Sequence, residues 1–271
     1  MASLLILALF ILAALLTGSP FSHAGETTTH PASADLHPLE RIATDFKISI
    51  ITANPTFPVK ITHGTIDGRS AELHDIHNYA GLFASEFGIY PPELVSRSKL
   101  KQVVFCRELS FAGQRRNAIP DFQNNTLYLD IARGTDSKTY LRKVIHHEFF
   151  HIIDYRDDGS VYRDDQWAAL NPPDFKYGTG GRNAQHMRDT SVLTNTLPGF
   201  LDHYATTGVE EDKAEVFANL IVDGEYIKER IPQDTILGNK VRRMKAQLEI
   251  FCPEVNASFW ERVGSVKRNN Q

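Results

Sequence analysis

Cysteine is scarce, with two residues in a chain of 271, so a small fold stapled by several disulfides is excluded. Strong charge of either sign is missing too: the formal net charge is -4, and no Lys/Arg stripe offers a nucleic-acid footprint. Beyond the first two dozen residues no apolar run approaches the roughly 20 residues that cross a bilayer, so no stable membrane insertion is expected. Gly178-Thr179-Gly180-Gly181 is not followed by the Gly-Lys-Ser/Thr of a phosphate cradle. No internal repeat is visible. What is present is the ordinary mixture of a globular enzyme, 42% hydrophobic and 23% charged, long enough to bury a large core unaided.

The amino terminus has its own character. Leu4 to Leu16 is unbroken apolar sequence, followed by Thr17-Gly18-Ser19-Pro20 and the small-x-small site Ser22-His23-Ala24. This predicts a signal peptide over residues 1–24, cleaved before Gly25, although the segment ahead of the run has no Lys or Arg. Residues 25–38, rich in Thr, His, Ser and Pro without periodicity, are expected as a flexible leader, and 39–271 as one domain. A secreted protein, extracellular or periplasmic, follows. Export would permit a Cys106–Cys252 bridge; two buried thiols fit the sequence equally well. Asn124 and Asn256 open glycosylation triplets that matter only in a host that uses them.

Strands are expected over Lys47–Thr52, Pro58–Thr62, Lys101–Cys106 and Thr126–Ile131. The last alternates Leu127, Leu129 and Ile131 with Thr126, Tyr128 and Asp130, the period of a half-buried strand. Helical spacing marks about 70–87, with Leu73, Ile76, Ala80, Phe83 and Phe87 inward, then Glu210–Ile221 and Leu237–Phe251. Between Arg156 and His203 there is little periodicity, and loops of that length are often functional.

The most informative stretch is His147-Glu148-Phe149-Phe150-His151. Residues four apart on a helix share a face, so both imidazoles can address one metal, with Glu148 beside it to take a proton from an activated water. Tyr140, Val144, His147, His151 and Asp154 form that face; Leu141, Ile145, Phe149 and Ile152 form an apolar one, and Asp136 or Ser137 suits the N-cap. His146 lies about 100° round the helix and points elsewhere.

A catalytic zinc keeps three protein ligands and one open position. Glu211 is the candidate third ligand. Glu211, Ala214, Glu215 and Ala218 share one face of a helix whose other sides are Val216, Phe217, Leu220 and Ile221. Carboxylates on so apolar a helix need partners, and Glu215, one turn on, would hold a ligating histidine. A competing arrangement closes the site at Asp157, six residues past His151, but puts Asp154 where a turn-making glycine is wanted. A zinc-bearing binding or toxin-like module without catalysis is the third reading; Glu148 speaks against it, because a closed structural site needs no base.

Together His147-Glu148-Phe149-x-His151, Asp154, Tyr204 and Glu211-x-x-Ala214-Glu215-x-Phe217 resemble the zinc metallopeptidases related to anthrax toxin lethal factor. The resemblance implies an α+β, zincin-like domain, a small twisted mixed sheet packed on helices, acting on a polypeptide substrate with Zn2+. It implies His147, His151 and Glu211 as ligands, Glu148 as general base, Tyr204 as a phenol near the metal, and Asp154 and Glu215 as supports. It also implies that an edge strand borders the cleft, for which Thr126–Ile131 is the expectation. His186 and His203 lie near the cleft in sequence, with nothing to select either.

Overall fold

Ten residues, β4 (Gln102–Phe111), organise the sheet, because both edges of this strand are paired along nearly its whole length. The computed structural model describes residues 36–180 and 191–268, so the expected signal segment, most of the leader and His186 lie outside it. On one edge β4 pairs parallel with β1 (Ser49–Ile51) and, further along, antiparallel with β3 (Gly64–Ser70), which carries β2 (Val59–Ile61). On the other edge it pairs with β5 (Gln114–Arg115) and, in parallel, with β7 (Thr126–Asp130). Outermost stands β6 (Ala118–Asp121), antiparallel to β7, with its far edge unpaired by any strand among the described residues.

This order corrects two expectations. β7 is not the edge of the sheet, and it is buried at all five positions rather than half-buried. Alternation correctly sends Leu127 and Leu129 towards the helices, but the opposite face is also covered: Tyr128 packs with Ile66, Val104, Cys106, Leu109 and Ile119 in a second apolar cluster. The edge is β6, a short strand containing Pro120, which a central strand would not tolerate.

The helical layer begins with α1 (His37–Phe46), which includes His37 and Pro38 from the expected leader. Then come α2 (Leu73–Phe87) and α3 (Pro92–Ser98). α2 starts later than its periodicity suggests because β3 runs through Ser70, and Leu73, expected inward, stands exposed at its first position. Rings from α2, β4 and the next helix form the centre of the core: Phe83 meets Phe87 at 5.1 Å and Phe105 at 5.1 Å, and Phe87 meets Phe149 at 5.0 Å. Such pairs add about 0.5–1.5 kcal/mol each beyond the area they bury.

α4 (Lys138–Asp158) follows β7 through a turn fixed by Asp130, whose carboxylate accepts from Leu109 N–H at 3.0 Å and Ala132 N–H at 3.3 Å. Ser137 is its cap, accepting from Tyr140 N–H at 3.2 Å, an arrangement worth about 1 kcal/mol. Gly159, with φ 77°, ends it. The long aperiodic stretch contains a one-turn α5 (Asp165–Ala168) and a 3-10 turn at Tyr204–Thr206. Next are α6 (Val209–Val222), α7 (Gly224–Arg230), α8 (Thr235–Phe251) and α9 (Ala257–Ser265). α6 is buried on every side from Val209 to Ile221 and lies along α4, with Phe150 and Phe217 5.0 Å apart. Cys106 and Cys252 are separate buried thiols, not a bridge: one donates to Leu129 O and the other to Glu254. No described helix is long and apolar enough to cross a membrane.

Candidate metal centre

Two helices build the site, since α4 brings His147 and His151 one turn apart and α6 brings Glu211 from sixty-four residues beyond His147. His147 Nε2 lies 3.0 Å from Glu211 Oε2 and 3.1 Å from His151 Nε2, and His151 Nε2 lies 3.5 Å from the same Glu211 oxygen. Among the described residues this is the one group of three such side chains that could hold a metal ion. Ligands of a tetrahedral zinc at about 2.0–2.1 Å stand roughly 3.3–3.4 Å from one another, so the three atoms are spaced as such an ion requires. The chemistry agrees: two imidazoles and one carboxylate, all buried, aim their ligand atoms at a common point that a proton shares in the metal-free protein and a metal ion could take.

Glu215 occupies the place expected of it. Its Oε1 is 3.0 Å from His147 Nδ1, which fixes the proton on Nδ1 and frees Nε2 for the shared point. His151 Nδ1 is buried without such a partner among the described residues. Behind Glu215 lies Asp202, fully buried, its Oδ1 accepting from Ala205 N–H at 2.8 Å. Burial, then the charge of Glu215, push the Asp202 carboxyl well above the carboxylate range, so it stays protonated against its neighbour. The sequence carries no periodic signal for Asp202.

Glu148 is half-buried between the two histidines along α4. Burial raises its pKa, opposed by the positive ends of His147 and His151, which suits a group that must accept a proton. Tyr204 stands at the start of the 3-10 turn with its ring 5.9 Å from that of His147 and its hydroxyl bonded to Glu211. Burial and the charges of Glu211 and Glu148 hold the phenol well above its ordinary range, which keeps its proton in place for donation. Burial works against charge on Glu211, but the bonds from His147 and His151 outweigh it and keep the carboxylate ionised.

Asp154 joins the helices instead of touching the shared point: Lys213 Nζ meets it at 2.7 Å, and both are buried. Asp212, also buried, accepts from Trp167 Nε1 at 2.8 Å, Tyr177 hydroxyl at 2.5 Å and Lys240 Nζ at 2.7 Å, which ties the segment after α4 to the start of α6. Neither lysine was foreseen as part of this framework. Asp157 is exposed and is not gathered with the histidines. The reason is mechanical: α4 continues through Asp158, so no turn at Asp154 folds Asp157 back, and six residues of helix carry it about 240° round the axis from His151. His203 is exposed. His146 is wholly buried, bonded to Tyr90 hydroxyl at 2.6 Å and Glu86 at 3.1 Å, as its position round the helix implies.

No family model and no curated protein matches the chain. Among solved structures, a putative zinc-binding metallo-peptidase from Bacteroides caccae is similar, with a TM-score of 0.51 and 17% identity over 90% of this chain and 97% of that one. At that identity the likeness is one of fold: the chain has a mixed α+β architecture, a small twisted sheet packed on helices, with His147 and His151 on the helix that follows β7.

Proposed function

We propose that the protein is an exported zinc-dependent endopeptidase that hydrolyses peptide bonds of a polypeptide substrate. The observation that carries this reading is the convergence of His147, His151 and Glu211, with Glu148 beside them and His147 held from behind by Glu215. The fold shared with the Bacteroides caccae structure supports it. Zinc held there would polarise a peptide carbonyl and acidify a water.

The chain's own residues supply the remainder. Glu148 takes the proton of the attacking water and passes it to the leaving amine. Tyr204, held neutral, donates to the carbonyl oxygen as negative charge develops on it. Glu215 keeps His147 in one tautomer, and Asp154 with Lys213 keeps α4 and α6 in register. An extended substrate would add to the free edge of β6 through backbone hydrogen bonds. Kinship with the lethal-factor group in particular rests on the spacing of Tyr204, Glu211, Ala214 and Glu215 relative to the histidine helix. Closed structural sites carry no base, so Glu148 disfavours a non-catalytic metal module.

Incubation of the purified protein with a diverse peptide library, read by mass spectrometry with and without chelator, tests the proposal. Internal cleavage that chelator abolishes and zinc restores is expected; an intact library in the presence of zinc would overturn it.

A further inference from the structure

At the start of α6, directly before Glu211 in the chain, a cleft of about 260 Å³ opens, lined by Tyr162, Tyr177, Gly180, Gly208 and Glu210 among others. Its size falls below the roughly 300–1,000 Å³ of sites that hold whole small molecules and suits one long side chain. Glu210 is 7% exposed and is one of the residues lining the cleft. Two glycines make room for it: a Cβ on Gly208 would stand 2.4 Å from Glu210 Oε1, and one on Gly180 3.2 Å from the same atom. Among the described residues the carboxylate accepts from its own backbone N–H. The two basic side chains nearest to it in charge are committed elsewhere, His151 to Glu211 at 3.5 Å and Lys213 to Asp154 at 2.7 Å.

Aromatic surface completes the wall. Tyr177 is fixed through its hydroxyl, which donates to Asp212 at 2.5 Å and accepts from Asn171 Nδ2 at 2.8 Å. Tyr162 is 76% exposed, and burial of its hydroxyl with the charges of Glu210, Glu211 and Glu148 raises its pKa. Tyrosine rings attract cations. An acidic side chain entering here would meet negative charge from each of those carboxylates. A neutral one would bury Glu210 further without supplying a donor, and an unanswered buried carboxylate is costly.

We propose that this cleft is the specificity pocket of the peptidase and takes a lysine or arginine side chain of the substrate, whose cation pairs with Glu210 between Tyr162 and Tyr177. This rests on the peptidase reading, and the test separates the two. Agmatine binding to the full chain is measured by calorimetry in the wild type, Glu210→Gln and Glu210→Asp. In parallel, peptides identical except for Lys, norleucine or Glu at each position in turn are assayed for cleavage. The expected results are a loss of agmatine affinity of about tenfold or more in Glu210→Gln, restored in part by Glu210→Asp, and a matching fall in the Lys-to-norleucine ratio of kcat/KM. If agmatine binding depends on Glu210 while no peptide is cleaved, the pocket stands and the peptidase reading falls. If peptides are cleaved with equal kcat/KM for Lys and norleucine at every position, the pocket reading is overturned and the peptidase stands. The wild-type ratio alone decides this should Glu210→Gln fail to fold.

Discussion

His147 Nδ1 and Glu215 Oε1 lie 3.0 Å apart, across the interface between α4 and α6. Removing the acceptor frees the imidazole to change tautomer and rotate. Glu215→Ala should therefore weaken zinc binding by about 10–100-fold while the far-ultraviolet circular dichroism stays native. Competition against a fluorescent chelator measures this, and unchanged affinity would reduce Glu215 to packing.

Glu211 and Asp157 imply different architectures for the third ligand. Since Glu211 faces both histidines and Asp157 is exposed on a continuing helix, Glu211→Ala should abolish stoichiometric zinc and Asp157→Ala should leave it intact. Metal analysis after dialysis decides between them; the reverse pattern would require a site local to α4 and its exit.

Glu148→Gln should retain zinc and lose hydrolysis by about 10²–10⁴-fold, the usual share of a positioned general base. Wild-type turnover in that variant would remove Glu148 from the mechanism.

Tyr204→Phe should lower kcat by about 10²-fold with zinc content unchanged, the loss expected for one donor to a developing oxyanion. If KM rises while kcat holds, the phenol contributes to ground-state binding only.

The metal-free protein has a distinctive pH dependence. Burial disfavours charge on His147, but hydrogen bonds to Glu211 and Glu215 outweigh it and raise its pKa well above 6.5. A raised histidine pKa means that the folded form holds a proton the unfolded chain gives up. Its stabilisation is therefore complete below about pH 6.5 and is lost as pH rises through the folded pKa. Metal-free Tm should decline above about pH 7, and zinc uptake near that pH should release roughly one proton from the ring. Calorimetry in buffers of differing ionisation enthalpy reads the proton; its absence would mean that His147 is already neutral.

Much of the centre is legible in the sequence because its parts violate an otherwise apolar pattern. Glu211 and Glu215 stand one turn apart on a helix with Val216, Phe217, Leu220 and Ile221, and His147 and His151 do the same on α4. Asp202 is not legible, because its importance comes from a tertiary neighbour in a stretch without periodicity. Alternation in β7 tells which residues face opposite sides but not which strands lie alongside, so its place inside the sheet was hidden. Pro92, at the first position of α3, is a recognisable helix start that the apolar pattern alone passes over. The cysteines illustrate the limit of composition: a compartment permits a bridge, but only geometry makes one.

The free edge of β6 has a further consequence. Asp130 N–H bonds to Asn117 O at 2.8 Å, so with antiparallel alternation the backbone groups of Ala118 and Pro120 face outward. Proline has no N–H, which leaves Ala118 as the lone outward donor within the strand. A visiting segment can be gripped over a few residues, but a second copy of the chain finds no continuous ladder to extend, and growth into a fibre is interrupted at its first rung.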